Sequence, residues 1–170
     1  MVLGWKGPPP GVSKINVDGA TSADGKLSSI GGVIRDRKGD TIAAMCKTLP
    51  NQHSSKETEI LAVENGVLLA KELELSQIYI ESDALMVVQD IQAGNTNGSL
   101  GHLHQGINSI LETFNCWKIQ HLKREYNKVA HELASYARCN GTYQVMVPKI
   151  VSKSHNSHVL KTTPMKQKQR

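Results

Sequence analysis

Large aromatic side chains are scarce in this 170-residue chain, which has one phenylalanine, two tryptophans and four tyrosines. Valine, isoleucine, leucine and alanine must fill any core, and the chain is long enough to bury one domain of ordinary size. No apolar run approaches the roughly 20 residues that span a bilayer, and the first residues lack the apolar centre of a signal peptide. We therefore expect a soluble protein of the nucleus or cytoplasm, without a membrane partner. The sequence does not exclude a location in an organelle.

Cysteine is also sparse. The three cysteines, Cys46, Cys116 and Cys139, are odd in number and too scattered for a zinc or thioredoxin-like motif. We expect them to be reduced thiols in a reducing compartment. A disulfide framework and a cysteine-bound metal are therefore not part of the predicted fold.

Acidic residues are missing from one end of the chain. Residues 149–170 contain six basic and no acidic residues, whereas residues 1–148 contain 14 basic and 15 acidic residues, a net charge of −1. We expect a lead-in segment over 1–12, a domain over 13–140 and a basic, disordered tail over 141–170. The tail either attracts phosphate weakly or has no function.

Three acidic residues occupy positions that a fold can bring together. Asp18 ends an alternating stretch typical of a strand and precedes Gly19, which permits close backbone approach. Glu59 lies in the first turns of an amphipathic helix, and Asp83 follows a β-rich run. Clustered carboxylates suit Mg²⁺, so the pattern favours a metal-dependent nuclease.

Each acid alone also has an ordinary explanation. Asp83 fits the N-cap of a helix, and Glu59 fits a first-turn acid that complements the helix dipole. Asp18 is harder to explain in this way, because a strand centre is a poor place for an unpaired carboxylate. Both interpretations stay open on the residues alone.

The hydrophobic pattern predicts an α/β fold with a mixed sheet. Strands are expected near residues 13–19, 29–36, 41–48, 77–81 and 116–122, and helices near 55–73, 84–92, 103–113 and 127–138. The turn from Asp36 to Asp40 predicts a hairpin, since Gly39 can supply a positive φ. His102 and His104 are expected on the surface.

Several motifs in order resemble the type 1 ribonuclease H family, and most closely its plant, retrotransposon-related branch. They are Trp5–Gly11, Lys14–Ala20, Gly31–Asp36 with Gly39, Glu59, Ser82–Asp83 and Arg124–Ala134. The resemblance covers roughly residues 5 to 140. It implies a ribonuclease H-like fold with a five-stranded sheet of order 3-2-1-4-5 flanked by helices.

The resemblance also implies an activity and a metal site. The family hydrolyses the RNA strand of RNA–DNA hybrids with two Mg²⁺ ions, for which Mn²⁺ can substitute. Asp18, Glu59 and Asp83 match three of four acidic positions and are expected to be catalytic and metal-binding. The fourth position is His131, a softer ligand without negative charge, so one metal should bind more weakly. A helix-surface histidine without metal is the alternative.

Five further residues are expected by resemblance to contact nucleic acid. The backbone of Gly19 and Ala20 would contact the 2′-hydroxyl that distinguishes RNA from DNA, with Ser82 assisting. Arg124 and Asn127 would contact phosphate, although Asn127 also fits a helix N-cap. The short segment before the last helix lacks the mobile histidine of many bacterial members.

Three functional hypotheses follow. The leading one is a monomeric, metal-dependent endonuclease acting on RNA–DNA hybrids. The second is a nucleic-acid-binding module from a retroelement, whose catalysis is weakened by His131. The third is a scaffold that uses the fold for protein contacts and binds neither hybrid nor metal.

Overall fold

Six strands form one mixed sheet in the part of the chain that the structure, a computed structural model, describes, which is residues 5–148. The elements in chain order are β1 (Ser13–Thr21), β2 (Ser28–Arg35), β3 (Thr41–Thr48), α1 (Ser55–Glu72), β4 (Gln77–Ser82), α2 (Leu85–Gln92), α3 (Gly101–Leu111), β5 (Cys116–His121), α4 (Lys128–Asn140) and β6 (Tyr143–Met146). A short 3₁₀ turn, Arg124–Tyr126, precedes α4.

The strand order is β5-β4-β1-β2-β3-β6, which confirms the predicted order of the first five strands. β1 lies at the centre, antiparallel to β2 and parallel to β4. The hairpin between β2 and β3 is also confirmed: the Asp36 amide donates to the Asp40 carbonyl at 2.9 Å, and Gly39 has a φ of 90°. Asp18 therefore lies on the strand next to β4, and Asp83 directly follows the end of β4.

The sixth strand corrects two predictions. Five strands and a tail beginning at residue 141 were expected, but Tyr143–Met146 pairs antiparallel with β3, so the ordered domain continues past residue 140. A strand of only four residues is too short to show a clear alternating pattern. The predicted disorder and phosphate attraction of the remaining tail concern residues 149–170, which lie outside the described residues.

One face of the sheet is apolar and packs against α1. Ile15 and Val17 of β1 are fully buried there, together with Val63 and Val67 of α1. A Cβ added at Gly66 would lie 2.7 Å from Val17 Cγ1, so the helix and the strand approach at a position without a side chain. This contact fixes the height of α1 above β1.

The other face is covered in part by α4, which lies directly on the backbone of β2. A Cβ added at Gly31 would overlap the Ala134 nitrogen and the Ala130 carbonyl oxygen of α4. Ser29 Oγ donates to the Ala134 carbonyl at 2.6 Å, and Thr48 Oγ1 donates to the Ala137 carbonyl at 2.7 Å. Small residues and hydroxyl groups therefore hold α4 in place.

The helices differ in detail from the prediction. α3 begins at Gly101, two residues earlier than expected, and His104 is buried at its inner side while His102 is exposed. The expected surface position is therefore wrong for His104, because residues 101, 104, 107 and 111 form the inner stripe of the helix. Within the described residues, no helix is both long enough and apolar enough to cross a membrane.

Candidate active site

Asp18 lies on the polar face of the central strand. It pairs with Gly31 of β2 and is only 4% exposed, although it is a carboxylate. Strand alternation puts Lys14, Asn16 and Asp18 on the face opposite to Ile15 and Val17. The sheet thus presents a buried acid toward α4, not toward the apolar side that packs on α1.

Glu59 reaches the same place from α1. Ser54 is the N-cap of this helix, and its hydroxyl accepts a hydrogen bond from the Glu57 amide at 3.1 Å. Glu59 Oε2 accepts from the Gly19 amide at 3.1 Å, and an added Cβ at Gly19 would lie 2.9 Å from Thr58 Cγ2. The absence of a side chain at Gly19 therefore lets α1 bring Glu59 beside Asp18, as predicted.

Asp83 follows the end of β4. The N-cap position of α2 is Ala84 and carries no side-chain hydrogen bond, so Asp83 does not cap that helix. The Ser82 hydroxyl instead accepts from the Ala84 amide at 3.1 Å. The capping explanation for Asp83 is wrong, which leaves its carboxylate directed to the cluster.

The three carboxylates form one cluster. Asp18, Glu59 and Asp83 each offer an oxygen, and these oxygens lie within 4.8 Å of one another. Burial, followed by the charges of Asp18 and Asp83, raises the pKa of Glu59 to about 9. Burial and then the Asp83 charge also raise the pKa of Asp18, against the lowering effect of His131. The cluster is therefore short of positive charge.

This donor set fits a divalent cation of the Mg²⁺ type. Carboxylate oxygens are the preferred ligands of Mg²⁺, Ca²⁺ and Mn²⁺. Burial is the first cause of the raised pKa values of Asp18 and Glu59, and repulsion from the neighbouring carboxylates raises them further. A cation among the three oxygens would remove that repulsion.

His131 adjoins the cluster without belonging to the group of three. Its Nδ1 atom lies 2.9 Å from Asp18 Oδ2, and its side chain is 40% exposed. The contact is a hydrogen bond from the imidazole to one of the carboxylates. One oxygen of Asp18 is therefore engaged in a hydrogen bond with His131. The role of His131 as a metal ligand stays a prediction.

Asn127 positions the strand that carries Asp18. Its side chain is buried, donates to the Val17 carbonyl at 2.8 Å, and accepts from Asn16 Nδ2 at 3.3 Å. Asn127 occupies the N-cap position of α4 but makes no side-chain capping bond. The Asn127 amide is turned inward to β1, and its expected phosphate contact stays a prediction.

A buried polar cluster continues from Asn16 away from the acids. Glu81 Oε1 lies 3.3 Å from Lys14 Nζ and accepts from Asn16 Nδ2 at 3.2 Å, while Gln120 Nε2 donates to Glu81 Oε2 at 2.7 Å. Arg35 donates to Asn16 Oδ1 at 3.0 Å. These partners were missed from the sequence, although the alternation of β1 already placed Lys14 and Asn16 on the face of Asp18.

The lead-in segment covers this polar cluster. The Trp5 ring lies 4.7 Å from the Arg35 guanidinium carbon and 5.5 Å from Lys14 Nζ. Lys14 Nζ also donates to the Lys6 carbonyl. Residues 5 and 6 therefore shield the polar face from solvent at the end of β1 farthest from Asp18.

Of the other residues expected to contact nucleic acid, Arg124 alone is exposed. Gly19 is half-buried and its amide donates to Glu59, while Ala20 and Ser82 are buried. The expected contacts of Ala20 and Ser82 with nucleic acid stay predictions. A cavity of about 580 Å³ beside His131 is lined by Lys123, Arg124, Glu125, Lys128, His131 and Glu132.

Comparison with known proteins is decisive at the level of family. The family model described as reverse transcriptase-like matches residues 16–137, which is most of the chain and includes all three acids. The chain belongs to the reverse transcriptase-like family. A relative of this family member is a protein of Arabidopsis thaliana provisionally named a ribonuclease H, 29% identical over 137 residues. The match covers 80% of this chain but only 22% of that relative's length.

Solved structures show the same fold. The RNase H1 of the archaeon Halobacterium salinarum superposes with a TM-score of 0.69 at 20% identity, over 74% of this chain and 96% of that one. LC11-RNase H1, solved with an RNA/DNA hybrid, gives 0.69 at 20% identity, over 76% and 98%. This member of the reverse transcriptase-like family therefore has a ribonuclease H-like fold.

Proposed function

We propose that this protein is a metal-dependent endonuclease that hydrolyses the RNA strand of RNA–DNA hybrids. The observation that carries the proposal is the convergence of Asp18 from β1, Glu59 from α1 and Asp83 from the end of β4, whose oxygens lie within 4.8 Å of one another. The family membership and the ribonuclease H-like fold support the same activity.

Asp18, Glu59 and Asp83 would hold the catalytic metal ions. Two divalent cations, when bound, stabilise the charge on the attacking and leaving oxygens of the phosphodiester and activate the attacking water. The chain keeps the three carboxylates together. Glu59 holds a proton because its pKa is raised, and it would release this proton when a metal ion binds. Metal binding should therefore release protons at neutral pH.

Two features beside the acids would hold the RNA strand. The backbone at Gly19 lies next to Asp18 and is half-buried, and together with the backbone of Ala20 it is the candidate for contact with the 2′-hydroxyl. Arg124 lies in the cavity beside His131 and would contact phosphate as a planar donor. The buried Asn127 would hold Val17, and with it Asp18, in place.

The test is cleavage of an end-labelled RNA strand that is offered alone, paired with RNA, or paired with DNA, in Mg²⁺ and in Mn²⁺. We expect cleavage of the RNA–DNA hybrid only. Asp83→Asn keeps the side-chain volume and removes one metal-binding charge, so it should lower turnover by at least about a hundredfold. Asp90→Asn on α2 is the matched control. Unchanged turnover in Asp83→Asn would refute the assignment.

One observation favours a second candidate function. His131 takes the fourth acidic position and hydrogen-bonds Asp18, so the cluster has three carboxylates and one of them is engaged. A nucleic-acid-binding module with weakened catalysis would bind hybrid without metal-stimulated turnover. His131→Asp separates the two: a gain of Mg²⁺-dependent cleavage would show that a fourth carboxylate was lacking, and binding without cleavage in both forms would favour the module.

A further inference from the structure

Positive charge is unevenly distributed around the carboxylate cluster. On one side, Lys123, Arg124 and Lys128 line the cavity that also contains His131, the residue in contact with Asp18. We call these three cations the basic ridge. His131 therefore connects the cavity of the ridge to the acids.

The side chains of the basic ridge are available to a ligand. All three are exposed, and none makes an ion pair among the described residues. The same cavity contains the carboxylates of Glu125 and Glu132, which do not pair with the ridge within 4.0 Å. Unpaired cations beside a phosphodiester-cleaving site suit the backbone of a nucleic acid.

The stretch of chain that follows Asp83 has no comparable charge of its own. From Ala84 to Trp117, a stretch that contains α2 and α3, the chain has no lysine or arginine and has two acids, Asp90 and Glu112. Asp90 is already bound to Lys56 at 3.2 Å. This stretch therefore offers no lysine or arginine side chain to the phosphates of a ligand.

We propose that the basic ridge is the main phosphate-binding surface of this protein, and that the α2–α3 side makes no ionic contact with the nucleic acid. The proposal rests on the proposed function for its ligand, an RNA–DNA hybrid. The hybrid lies along the start of α4, with its phosphates on the ridge and the scissile bond at the acids. Glu125 and Glu132 weaken this binding, because they lie in the same cavity.

The experiment measures hybrid binding as a function of salt in the full chain with Asp83→Asn, so that cleavage does not interfere. Each phosphate contact contributes about 0.7–0.9 to the slope of log K against log[salt]. Lys123→Gln, Arg124→Gln and Lys128→Gln together should reduce the slope by about 2–3, which removes a roughly 20- to 40-fold affinity change between 50 and 200 mM salt.

The matched control is Arg37→Gln, Lys38→Gln and Lys71→Gln, which removes the same residue types at exposed positions of the β2–β3 hairpin and the end of α1. Its slope should stay near that of the parent. Glu125→Gln with Glu132→Gln should tighten binding. A ridge variant with the parental slope, or an equal loss in the control, overturns the proposal, as does a parent that does not bind hybrid.

Cleavage by the protein without Asp83→Asn is measured separately, so the two proposals fail independently. Cleavage of the hybrid with an unchanged ridge slope would leave the nuclease standing and reject the ridge. Ridge-dependent binding without cleavage would support the ridge and reject the nuclease. Thermal melting of every variant checks that its fold is retained.

Discussion

The two faces of β1 are equally buried but are built from different chemistry. Ile15 and Val17 are 0% exposed on the face toward α1, and Lys14, Asn16 and Asp18 are 1–4% exposed on the face toward α4. Burying an aliphatic side chain stabilises a fold by about 1.5–3 kcal/mol. A buried ion pair contributes little net stability, because its desolvation offsets the attraction.

The two faces of β1 therefore serve different purposes. One stabilises the strand, and the other positions the acid that the strand carries. The apolar face fixes β1 against α1, and the polar face fixes the direction of Asp18 through Asn16, Asn127 and Glu81. Hydrogen bonds have defined directions, whereas apolar contacts do not. The four predictions below test this division of labour, from the largest expected effect to the smallest.

Removing the buried anion of the polar face should have the largest effect. Glu81→Ala leaves the Lys14 ammonium group buried without its partner, which we expect to lower the free energy of unfolding by about 3–5 kcal/mol. Urea denaturation measures this change. The paired replacement Lys14→Met with Glu81→Leu removes both charges and should recover most of the loss. A cost of Glu81→Ala below about 1 kcal/mol would mean that water reaches Lys14 in solution.

The carboxylate cluster should make the metal-free protein less stable as pH rises. The pKa of Glu59 is about 9 in the fold, whereas the ordinary pKa of a glutamate side chain is 4.5, so the folded state holds a proton that the unfolded state has released. The stabilising effect of that proton is complete below about pH 4.5 and is lost as pH rises through 9. Asp18, with its raised pKa, contributes with the same sign.

We expect the Tm in a chelator to fall by roughly 5–10 °C between pH 5 and pH 9, which corresponds to about 2–3 kcal/mol at this chain length. Glu59→Gln should flatten the profile and raise Tm at high pH, and Mg²⁺ should raise it in the unaltered protein. Glu72→Gln, at an exposed position of the same helix, is the control. A Tm that rises with pH in the unaltered protein but not in Glu59→Gln would contradict this prediction.

Removing one methylene group from the apolar face should lower stability without lowering activity. Ile15→Val removes one methylene group next to Gly66 and should lower the free energy of unfolding by about 0.5–1.5 kcal/mol. Hybrid cleavage should keep its kcat, because the side chain faces away from Asp18. Asn16→Leu, its neighbour on the polar face, should lower kcat as well as stability. An equal loss of kcat in both variants would show that the two faces are not separable.

The lead-in segment should give the smallest effect. Trp5→Leu removes the stacking of the indole on the Arg35 guanidinium, which is 4.7 Å away, and should cost about 0.5–1 kcal/mol in urea denaturation. Trp117→Leu is the matched control: that ring is 37% exposed, on the edge strand β5. Equal costs for the two tryptophans would mean that the stacking adds nothing beyond the burial of a ring.

The sequence was sufficient to predict the order of five strands, the hairpin and the three clustered acids. The hairpin depends on a local sequence pattern, whereas the strand order and the grouping of the acids were implied by motifs that resemble the ribonuclease H family. Asp18 could be singled out from the sequence because a carboxylate in a strand centre needs partners, and this requirement also applies in the structure. Glu59 was predictable because its helix begins only a few residues earlier.

The remaining features depend on contacts between residues far apart in the chain. Glu81 faces Asn16 only through the register of β1 with β4, and Asn127 turns inward only because α4 lies against β2. The inward position of His104 depends on where α3 starts, which shifts by two residues from the predicted boundary. β6 can be recognised as a strand only from its pairing with the edge of β3.

Gly31 has a consequence for how this protein can change over generations. Every amino-acid replacement at this position adds at least one carbon where the backbone of Ala130 and Ala134 already lies. The added atom would push α4 outward, and α4 begins beside Asn127 and carries His131. No neutral substitution is open at Gly31, so its codon should tolerate only synonymous changes in any lineage that keeps the acids aligned.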